Sequence, residues 1–490
     1  MSIRRRVVLV AAVAAVLFVV GAVFSLLQTD EPEAFTSIEM HFKYGSIGSD
    51  YAIAADESGV PYWIWRVLPD VFPDILDELT PGRPGAGYER LGFIYEPDVE
   101  LEHPRPIGLS YRKTAIEAVG VNCAACHVGT VRSTPDGGAQ LVLGMPAARL
   151  DFLGYERFLI DATDDPRFNA GTLIDAIKQV NPDFGFFDQM VYRYVVIPRM
   201  KSRLDTLRAD FSFIDEPGRP DWGPGRVDTF TPYKVRFDFP DEAYDIIGTA
   251  DFPSIWDQAA RAGMFLHWDG NNPSLDERNL SAAIGAGASE SSLDLAAVER
   301  IKRWIETLPP PAFPADKIDQ ALVAAGKQVY DGACAACHAL DGALVGQVDP
   351  IAVLGTDDSR LRSFDDAIAA SMNTLGEGRP WAFSHFRSTD GYANAPLDGI
   401  WLRAPYLHNG SVPYLSDLLE PASERPQAFC RGSDVYDYAR VGFVADAAQA
   451  QCTEFWFDTS LVGNGNAGHE YGTDLTAEQK RALLEYLKTQ

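Results

Sequence analysis

The pentapeptide Cys-Ala-Ala-Cys-His occurs twice in the chain, at residues 123–127 and 334–338. It is the attachment signature of c-type haem: the two thiols form thioethers to the porphyrin, and the adjoining histidine binds the iron. The alternative is a redox-active or zinc-binding Cys-x-x-Cys pair followed by an unrelated histidine. Because the whole pattern recurs, we predict two covalently bound haems and redox chemistry. The predicted attachment residues are Cys123, Cys126, Cys334 and Cys337, and the predicted proximal iron ligands are His127 and His338.

The N-terminal residues predict export. Arg4, Arg5 and Arg6 precede an uncharged stretch of 21 residues at 7–27, which is long enough to cross a bilayer as a helix and keeps its arginines in the cytoplasm. A cleaved signal peptide is the competing interpretation, although no clear Ala-x-Ala site follows. We predict a retained anchor within 1–30 and a location on the periplasmic side of the inner membrane. Cleavage would instead release the protein into the periplasm.

The charge balance limits the partners. With 42 Lys and Arg against 69 Asp and Glu, the net charge is −27, so nucleic acid and anionic lipid head groups are both excluded as partners that bind through general electrostatics. A chain this acidic could attract a cationic cytochrome donor. Solubility alone explains the same charge equally well. The two cysteines outside the haem motifs, Cys430 and Cys452, are predicted to form a disulfide in an oxidising compartment or else to remain two separate thiols.

Apolar periodicity outlines the domains. It predicts a helix over 293–307, followed by the stiff proline-rich linker 308–314, and a second helix over 318–330. Thr476 and Gln479 form a capping-box pattern ahead of an apolar stripe that predicts the closing helix. We therefore predict a mainly α fold with two cytochrome c-like haem domains, at 31–310 and 311–490, and long irregular loops. No strand pattern indicates a major sheet.

The first domain is larger than one haem requires, because about 165 residues separate His127 from Leu293. This large insertion contains the apolar and aromatic run 186–197. Two interpretations stay open for that run: a helix over a haem face, or an ordinary core helix.

Three further histidines are candidate haem contacts. His469 lies in a glycine-rich loop shortly before the closing helix, which favours a second axial ligand to the second haem; a histidine of a surface turn is the alternative. His408, in a turn-forming stretch, could bind a propionate or lie between the haems, and His267 could face the first haem. We interpret His41, His103 and His385 as structural or surface groups.

Longer peptides carry a resemblance that covers most of the exported part. They are Tyr-Gly-Ser-Ile-Gly at 44–48, Pro-Tyr-Trp-Ile-Trp at 61–65, Gly-Thr-Ala-Asp-Phe-Pro at 248–253, His-Trp-Asp-Gly-Asn-Asn at 267–272, Ala-Pro-Tyr-Leu-His-Asn-Gly-Ser-Val at 404–412 and Asn-Gly-Asn-Ala-Gly-His-Glu-Tyr-Gly at 464–472. With the two haem motifs, they resemble the di-haem cytochrome c peroxidase superfamily. The chain is most similar to its rubber oxygenase and fatty-acid dioxygenase branch.

The resemblance implies roles for the two haems. In that branch the N-terminal haem binds dioxygen and the C-terminal haem has two histidine ligands, which implies a reactive haem on His127 and a closed haem on His338 and His469. Peroxidases of the superfamily place an acid near the reactive haem. Glu277 is the candidate for that role, and a solvent-exposed salt bridge with Arg278 or a nearby group is the alternative. Trp268 could line the pocket or relay electrons, or it could be ordinary core.

The predicted function is dioxygen insertion into an unsaturated apolar substrate at the first haem. A peroxidase that receives electrons at the second haem and reduces peroxide at the first is the second hypothesis. A non-catalytic electron-transfer subunit with both irons closed is the third.

Overall fold

The computed structural model of the protein describes residues 31–52, 58–114, 116–239 and 247–490. The predicted anchor within 1–30 lies outside the described residues. Within the described part of the chain, no helix combines the length and apolar character needed to cross a membrane.

The described α-helices alternate with long irregular segments. Their bounds are Ile38–Tyr44, Tyr62–Val71, Pro73–Leu79, Cys123–His127, Phe152–Asp164, Ala170–Val180, Phe186–Val191, Ile197–Asp210, Thr231–Arg236, Leu275–Gly285, Leu295–Ile305, Gln320–Ala333, Ala335–His338, Ile351–Leu354, Ser359–Arg362, Asp366–Met372, Leu415–Leu418 and Ala477–Leu487. A π-helical turn, Tyr192–Val196, joins Phe186–Val191 to Ile197–Asp210.

Short antiparallel strands accompany the helices. Four of them form one sheet in the order Glu31–Pro32, Leu109–Lys113, Ala118–Val121 and Val60–Pro61. The other described strands form two-stranded ladders: Val128–Val131 with Gln140–Leu143, Arg226–Asp228 with Thr249–Asp251, Val348–Pro350 with Gly391–Ala393, Ala428–Arg431 with Phe455–Asp458, and Tyr436–Asp437 with Gly442–Phe443. The fold therefore mixes helices with small sheets and is less purely helical than predicted.

The second half has the predicted helix pair of a small cytochrome. Gln320–Ala333 crosses Ala477–Leu487, and Gly326 lies at the crossing, where an added Cβ would come 2.0 Å from the Ala482 carbonyl oxygen. Leu483, Leu484 and Leu487 face the core of this half, as the apolar stripe predicted. The predicted capping box also forms, with the Gln479 backbone N–H donating to Thr476 Oγ1. These helix predictions are confirmed to within a few residues.

The first half contains a related pair. The helix Ile38–Tyr44 packs against Leu295–Ile305, and Phe42 and Trp304 bring their ring centres within 5.0 Å. The insertion adds helices that pack on Tyr62–Val71 around the largest hydrophobic cluster. The two cytochrome c-like halves thus differ mainly in this added layer.

An internal repeat relates the halves. Each half contains a two-stranded antiparallel ladder of three residue pairs, here called its hairpin. Arg226 pairs with Asp251 at one end of the first hairpin, and Val348 pairs with Ala393 at the same end of the second. A tight loop follows each hairpin and is closed by a bridge between residues six positions apart, Leu266 with Asn272 and Tyr406 with Val412. A proline and then a leucine that starts a helix follow both loops. This repeat places Trp268 and His408 at equivalent positions.

The two halves bind each other through these repeated parts. The Asp251 backbone N–H donates to the His408 carbonyl at 2.9 Å, and the Ala393 N–H donates to the Trp268 carbonyl at 2.7 Å. Each hairpin therefore holds the loop of the opposite half, which fixes the two Cys-x-x-Cys-His motifs relative to each other.

The run at 186–197 is not an ordinary core helix at four of its side chains, and its predicted position over a haem face stays a prediction. Phe186, Phe187, Tyr194 and Val195 are exposed, whereas Tyr192, Val196 and Ile197 are buried. The run is helical, but its outer face is covered neither by core nor by any other described element.

Candidate haem sites

The first motif is fixed by its cap. The Asn122 side chain accepts a hydrogen bond from the Ala124 N–H at 3.0 Å and donates one to the Gly45 carbonyl. Asn122 therefore caps the short helix Cys123–His127 and ties its first turn to the neighbouring chain. His127 Nδ1 lies 2.9 Å from the Pro253 carbonyl oxygen. Because a carbonyl only accepts, Nδ1 carries the proton and Nε2 keeps its lone pair for iron. Burial lowers the pKa of His127 to about 4, so the ring is neutral.

The second motif repeats this arrangement. His338 Nδ1 donates to the Ala395 carbonyl at 2.8 Å, and burial lowers the pKa of this histidine as well. Pro253 and Ala395 each lie two residues after the paired strand of their hairpin, so the internal repeat supplies the same acceptor to both histidines. Sequence reasoning missed both acceptors, because a backbone carbonyl leaves no residue signature.

The cysteines divide into two groups. Cys123, Cys126, Cys334 and Cys337 are free thiols. Burial raises the pKa of Cys123 and Cys334 to about 11 and of Cys126 to about 12. Cys430 and Cys452 form a disulfide with 5.5 Å between their Cα atoms, which confirms the predicted pairing. Two thiols and a neutral histidine on one turn fit covalent haem at each motif.

His469 lies opposite His338. Their ring centres are 6.1 Å apart, with 45° between the planes. A metal–imidazole bond is about 2 Å long, so two rings on opposite sides of one iron have centres about 6 Å apart. Among the described residues, His469 Nδ1 is buried without a hydrogen-bond partner. The donor set therefore fits one haem iron held by two imidazoles, and the role of His469 as its ligand stays a prediction.

The loop that carries His469 is held at its backbone. The His469 N–H donates to the Leu354 carbonyl at 2.8 Å, and the residue has a positive φ of 50°. Gly468, at φ 78°, has room for no side chain, because a Cβ would lie 2.3 Å from the Gly355 carbonyl carbon. Burial, followed by the charge of a protonated His338, lowers the pKa of His469 to about 4, so this ring too is neutral.

The first half offers no equivalent ligand at this place. The helix Leu295–Ile305 begins after its cap Asp294, as Ala477–Leu487 begins after Thr476. The position that corresponds to His469 is then Gly287, and residues 286–294 contain no histidine, methionine, cysteine or lysine. The second half therefore supplies a histidine at this position for its motif, and the first half does not.

Trp268 lies between the two sites. Its Nε1–H donates to the Asp251 carbonyl at 3.0 Å, two residues before the Pro253 that binds His127. Trp268 packs against the hydrophobic cluster of Leu354, Leu361 and Tyr392, and the Leu354 carbonyl accepts the His469 backbone N–H. The predicted roles of Trp268, lining the pocket or relaying electrons, stay predictions.

His408 is buried at the boundary between the halves. Its ring stacks on Tyr392 with centres 4.1 Å apart, and its Nε2 lies 3.1 Å from the tyrosine oxygen. The Tyr392 hydroxyl donates to the Asp357 carbonyl, so His408 Nε2–H is the donor to that hydroxyl. Burial, and then the charges of Arg360 and Arg226, lower the pKa of His408 to about 3. Both predicted roles of His408, binding a propionate and lying between the haems, stay predictions.

Glu277 is buried and pairs with His385, so the predicted alternative of a salt bridge with a nearby group is right in having a partner and wrong in placing Glu277 in solvent. Its carboxylate accepts hydrogen bonds from Asn272 Nδ2, the backbone and hydroxyl of Ser384, and the backbone and ring of His385. Burial alone would raise its pKa, but the hydrogen bonds from His385, Asn272 and Ser384 outweigh burial and lower it. Glu277 is therefore an ionised carboxylate, and His385 is its partner and not an isolated surface group.

His267 is positioned by its own loop. It has a positive φ of 66°, its Nδ1 lies 3.1 Å from Asn271 Oδ1, and its carbonyl accepts a hydrogen bond from Arg360 at 2.9 Å. Burial, followed by the charges of Arg278 and Arg360, lowers its pKa to about 3. Arg360 also pairs with Asp269 across the boundary between the halves. The predicted contact of His267 with the first haem stays a prediction.

The two remaining histidines have structural surroundings. His103 stacks on Tyr111 at 3.9 Å, and His41 is buried, with a pKa lowered first by burial and then by Arg300.

Known proteins resemble the second half most clearly. Residues 323–385 match the cytochrome c family model, and residues 391–430 match a model described as RoxA-like, cytochrome c-like. The first match contains the second haem motif, and the second contains the strand Gly391–Ala393 and His408. The chain is therefore a cytochrome c-containing protein with covalently bound haem and a redox or electron-transfer role.

Two relatives come from Sinorhizobium fredii. The uncharacterized protein y4iM is 32% identical over 49% of this chain and 64% of its own length. The uncharacterized protein y4iJ is 26% identical over 97% of both chains. The chain thus spans less than two thirds of the first relative and nearly all of the second.

Proposed function

We propose that this protein is an exported oxidoreductase with two c-type haems, one open and one closed. The open haem, attached at Cys123 and Cys126, activates dioxygen and oxygenates an unsaturated apolar substrate such as a fatty acid or an isoprenoid. The observation that carries this proposal is the inequality of the two sites: His469 lies opposite His338, whereas the corresponding stretch at 286–294 gives His127 no partner.

The residues around the first motif prepare one axial ligand. Pro253 fixes the tautomer and the orientation of His127, and burial keeps the ring neutral. A haem with a free axial position binds and activates dioxygen or peroxide, and the polarity of its pocket decides which chemistry follows.

Trp268 and His408 are positioned to link the two sites. Trp268 donates to the Asp251 carbonyl on the first side and packs against the cluster of Leu354, Leu361 and Tyr392 on the second. His408 stacks on Tyr392 within the same boundary. We assign Trp268 the role of electron relay and His408 that of a neutral, tightly held neighbour of the second site.

The oxygenase preference draws support from the RoxA-like match and from the insertion, which adds a large apolar cluster to the first half. The N-terminal sequence supports a periplasmic location.

Peroxide reduction is the second candidate, and Glu277 favours it. An ionised, buried carboxylate can accept a proton from bound peroxide, and hydrogen bonds from residues 384 and 385 hold Glu277 in that state.

The first experiment counts haems. Mass spectrometry of the holoprotein should show two covalent haems, and Cys123→Ser with Cys126→Ser should remove one. An unmodified mature chain, made with a working haem-attachment system, would refute the proposal.

The second experiment separates the reactions. With isotope-labelled dioxygen and a panel of unsaturated fatty acids and isoprenoids, both oxygen atoms should enter the product without a donor cytochrome. Glu277→Gln should leave this incorporation largely intact but should abolish peroxide turnover in a peroxidase. No incorporation, together with rapid donor-dependent peroxide turnover, would replace the first candidate by the second.

A further inference from the structure

Four large side chains of the insertion form an exposed surface, here called the aromatic patch. Phe186, Phe187, Tyr194 and Val195 are 69%, 67%, 64% and 45% exposed, and the two phenylalanine rings are 5.8 Å apart. Scattered exposed apolar residues are ordinary, but several within ten residues of one helical run indicate an interaction surface.

The helix geometry produces this patch. Pro198 has no backbone N–H to continue the α-helical ladder, and the chain instead makes a π-turn in which the Ile197 N–H donates to the Tyr192 carbonyl. The extra residue rotates the chain so that Tyr192 and Val196 reach the core while Tyr194 and Val195 face outward. The exposure is thus built into the run and is not a frayed end.

The charge around the patch is opposite to that of the protein. Over the helical run 186–201, three exposed basic side chains, Arg193, Arg199 and Lys201, accompany one exposed acidic side chain, Asp188. The whole chain carries −27. A basic island with aromatic residues in so acidic a protein fits an anionic surface, which the rest of the molecule would repel.

Glu31, the first residue that the structure describes, lies on the same side of the molecule as the aromatic patch. Glu31 pairs with Lys113, the last residue of its strand, and Glu117 follows across the turn of that hairpin. Glu117 accepts a hydrogen bond from Trp63 and lies close enough to Tyr192, at the base of the patch, to raise its pKa after burial. The uncharged stretch 7–27 therefore precedes a residue that lies near the patch.

We propose that the aromatic patch is a membrane-docking surface for an anionic phospholipid bilayer. Phe186, Phe187 and Tyr194 enter the interfacial layer, and Arg193 and Arg199 bind lipid phosphates. Amphipathic aromatic side chains prefer this layer, and basic residues beside them add attraction to anionic headgroups. The proposal does not depend on which reaction the haems perform.

The cysteine inventory makes a direct test possible. Four cysteines belong to the haem motifs and two to the disulfide, so Phe187→Cys adds a single reactive thiol for a nitroxide spin label. The full-length holoprotein would be mixed with nanodiscs of phosphatidylglycerol and phosphatidylethanolamine. Power saturation with oxygen and with a water-soluble nickel complex then reports the depth of the label. Val462→Cys, at a side chain that is 58% exposed in the second half, is the matched control.

The label at 187 should favour oxygen over nickel by several-fold more than the label at 462. Replacing phosphatidylglycerol by phosphatidylcholine, or introducing Arg193→Glu with Arg199→Glu, should reduce that difference. Charge reversal at the exposed Arg303 and Arg481 should not reduce it. Equal nickel access at both labels would overturn the proposal. So would protein–protein contact at the patch, seen as a dimer of the Phe187→Cys variant whose labels stay excluded from lipid.

Discussion

At the scale of single residues, each proximal histidine is prepared by one backbone carbonyl. Pro253 and Ala395 fix the Nδ1–H tautomer of His127 and His338, and burial removes the positive charge. Because both proximal histidines are held in the same way, the distal side is the first place to look for a difference between the two irons. His469 is the predicted source of that difference in the second half, which makes its removal informative.

His469→Ala should open the second haem, because the position opposite His338 loses its imidazole. We expect the ferric low-spin signal of that haem to become high-spin and the chain to bind one additional carbon monoxide when reduced. Electron paramagnetic resonance and carbon monoxide titration measure both. His385→Ala, which alters an exposed ring, is the control and should leave the low-spin signal intact. A low-spin signal that persists in His469→Ala would exclude His469 as the ligand.

The buried ring of His408 should make stability pH-dependent. Its folded pKa of about 3 lies below the unfolded value of 6.5, so the unfolded chain takes up the proton first and stability is lost as the pH falls below 6.5. His408→Gln keeps a donor toward Tyr392 but does not titrate. Relative to this variant, the wild type should lose about 1 kcal/mol of unfolding free energy per pH unit.

Guanidinium unfolding at several pH values between 7 and 4.5 provides the measurement. Parallel pH dependence in the two proteins would contradict the depressed pKa of His408.

At the scale of elements, the second half depends on the crossing of Gln320–Ala333 with Ala477–Leu487. Gly326 permits this crossing, because a Cβ would lie 2.0 Å from the Ala482 carbonyl oxygen. Gly326→Ala should therefore cost about 1–3 kcal/mol of unfolding free energy. Gly332→Ala on the same helix, where no described atom lies within 4 Å of the added Cβ, should gain up to about 1 kcal/mol.

Equilibrium denaturation of the two glycine variants tests the crossing. Equal effects at both positions would mean that the helices do not approach as closely as described.

Elements also show what sequence reasoning can predict. The helix pair of the second half was predictable because it is long, periodic and capped by Thr476. The paired hairpins were missed, since strands of three residues are too short to show alternation. Glu277 was identified without its partners, because Ser384 and His385 lie more than a hundred positions away. The apolar run 186–197 was misjudged because hydrophobicity alone does not separate core from an exposed face.

At the scale of the whole molecule, the two halves are held together by reciprocal contacts. Each hairpin binds the loop of the other half, and two buried ion pairs cross the same boundary, Arg360 with Asp269 and Arg431 with Asp251. Such a boundary couples the folding of both halves, in contrast to independent domains joined by a linker. We therefore expect one cooperative unfolding transition for the regions around both haems.

Asp251 contributes one of these buried ion pairs and also a backbone hydrogen bond across the boundary. Its side chain pairs with Arg431 at 2.9 Å and lies 3.8 Å from Arg226, and both guanidinium groups are buried. Asp251→Asn leaves these two cations without their carboxylate, which should cost about 3 kcal/mol of unfolding free energy. Combining it with Arg431→Met should recover part of that loss, because one of the uncompensated charges is removed as well.

Guanidinium unfolding would be followed by the low-spin band of the second haem and by tryptophan fluorescence. In the wild type and in Asp251→Asn the two signals should change together, and the unfolding midpoint of the variant should lie at a lower denaturant concentration. Asp251 lies in the first half and the second haem in the other half. The shift in the unfolding midpoint of the second-haem signal in Asp251→Asn therefore measures the coupling between the halves. A second-haem transition that stays at the wild-type midpoint would show that the halves fold independently.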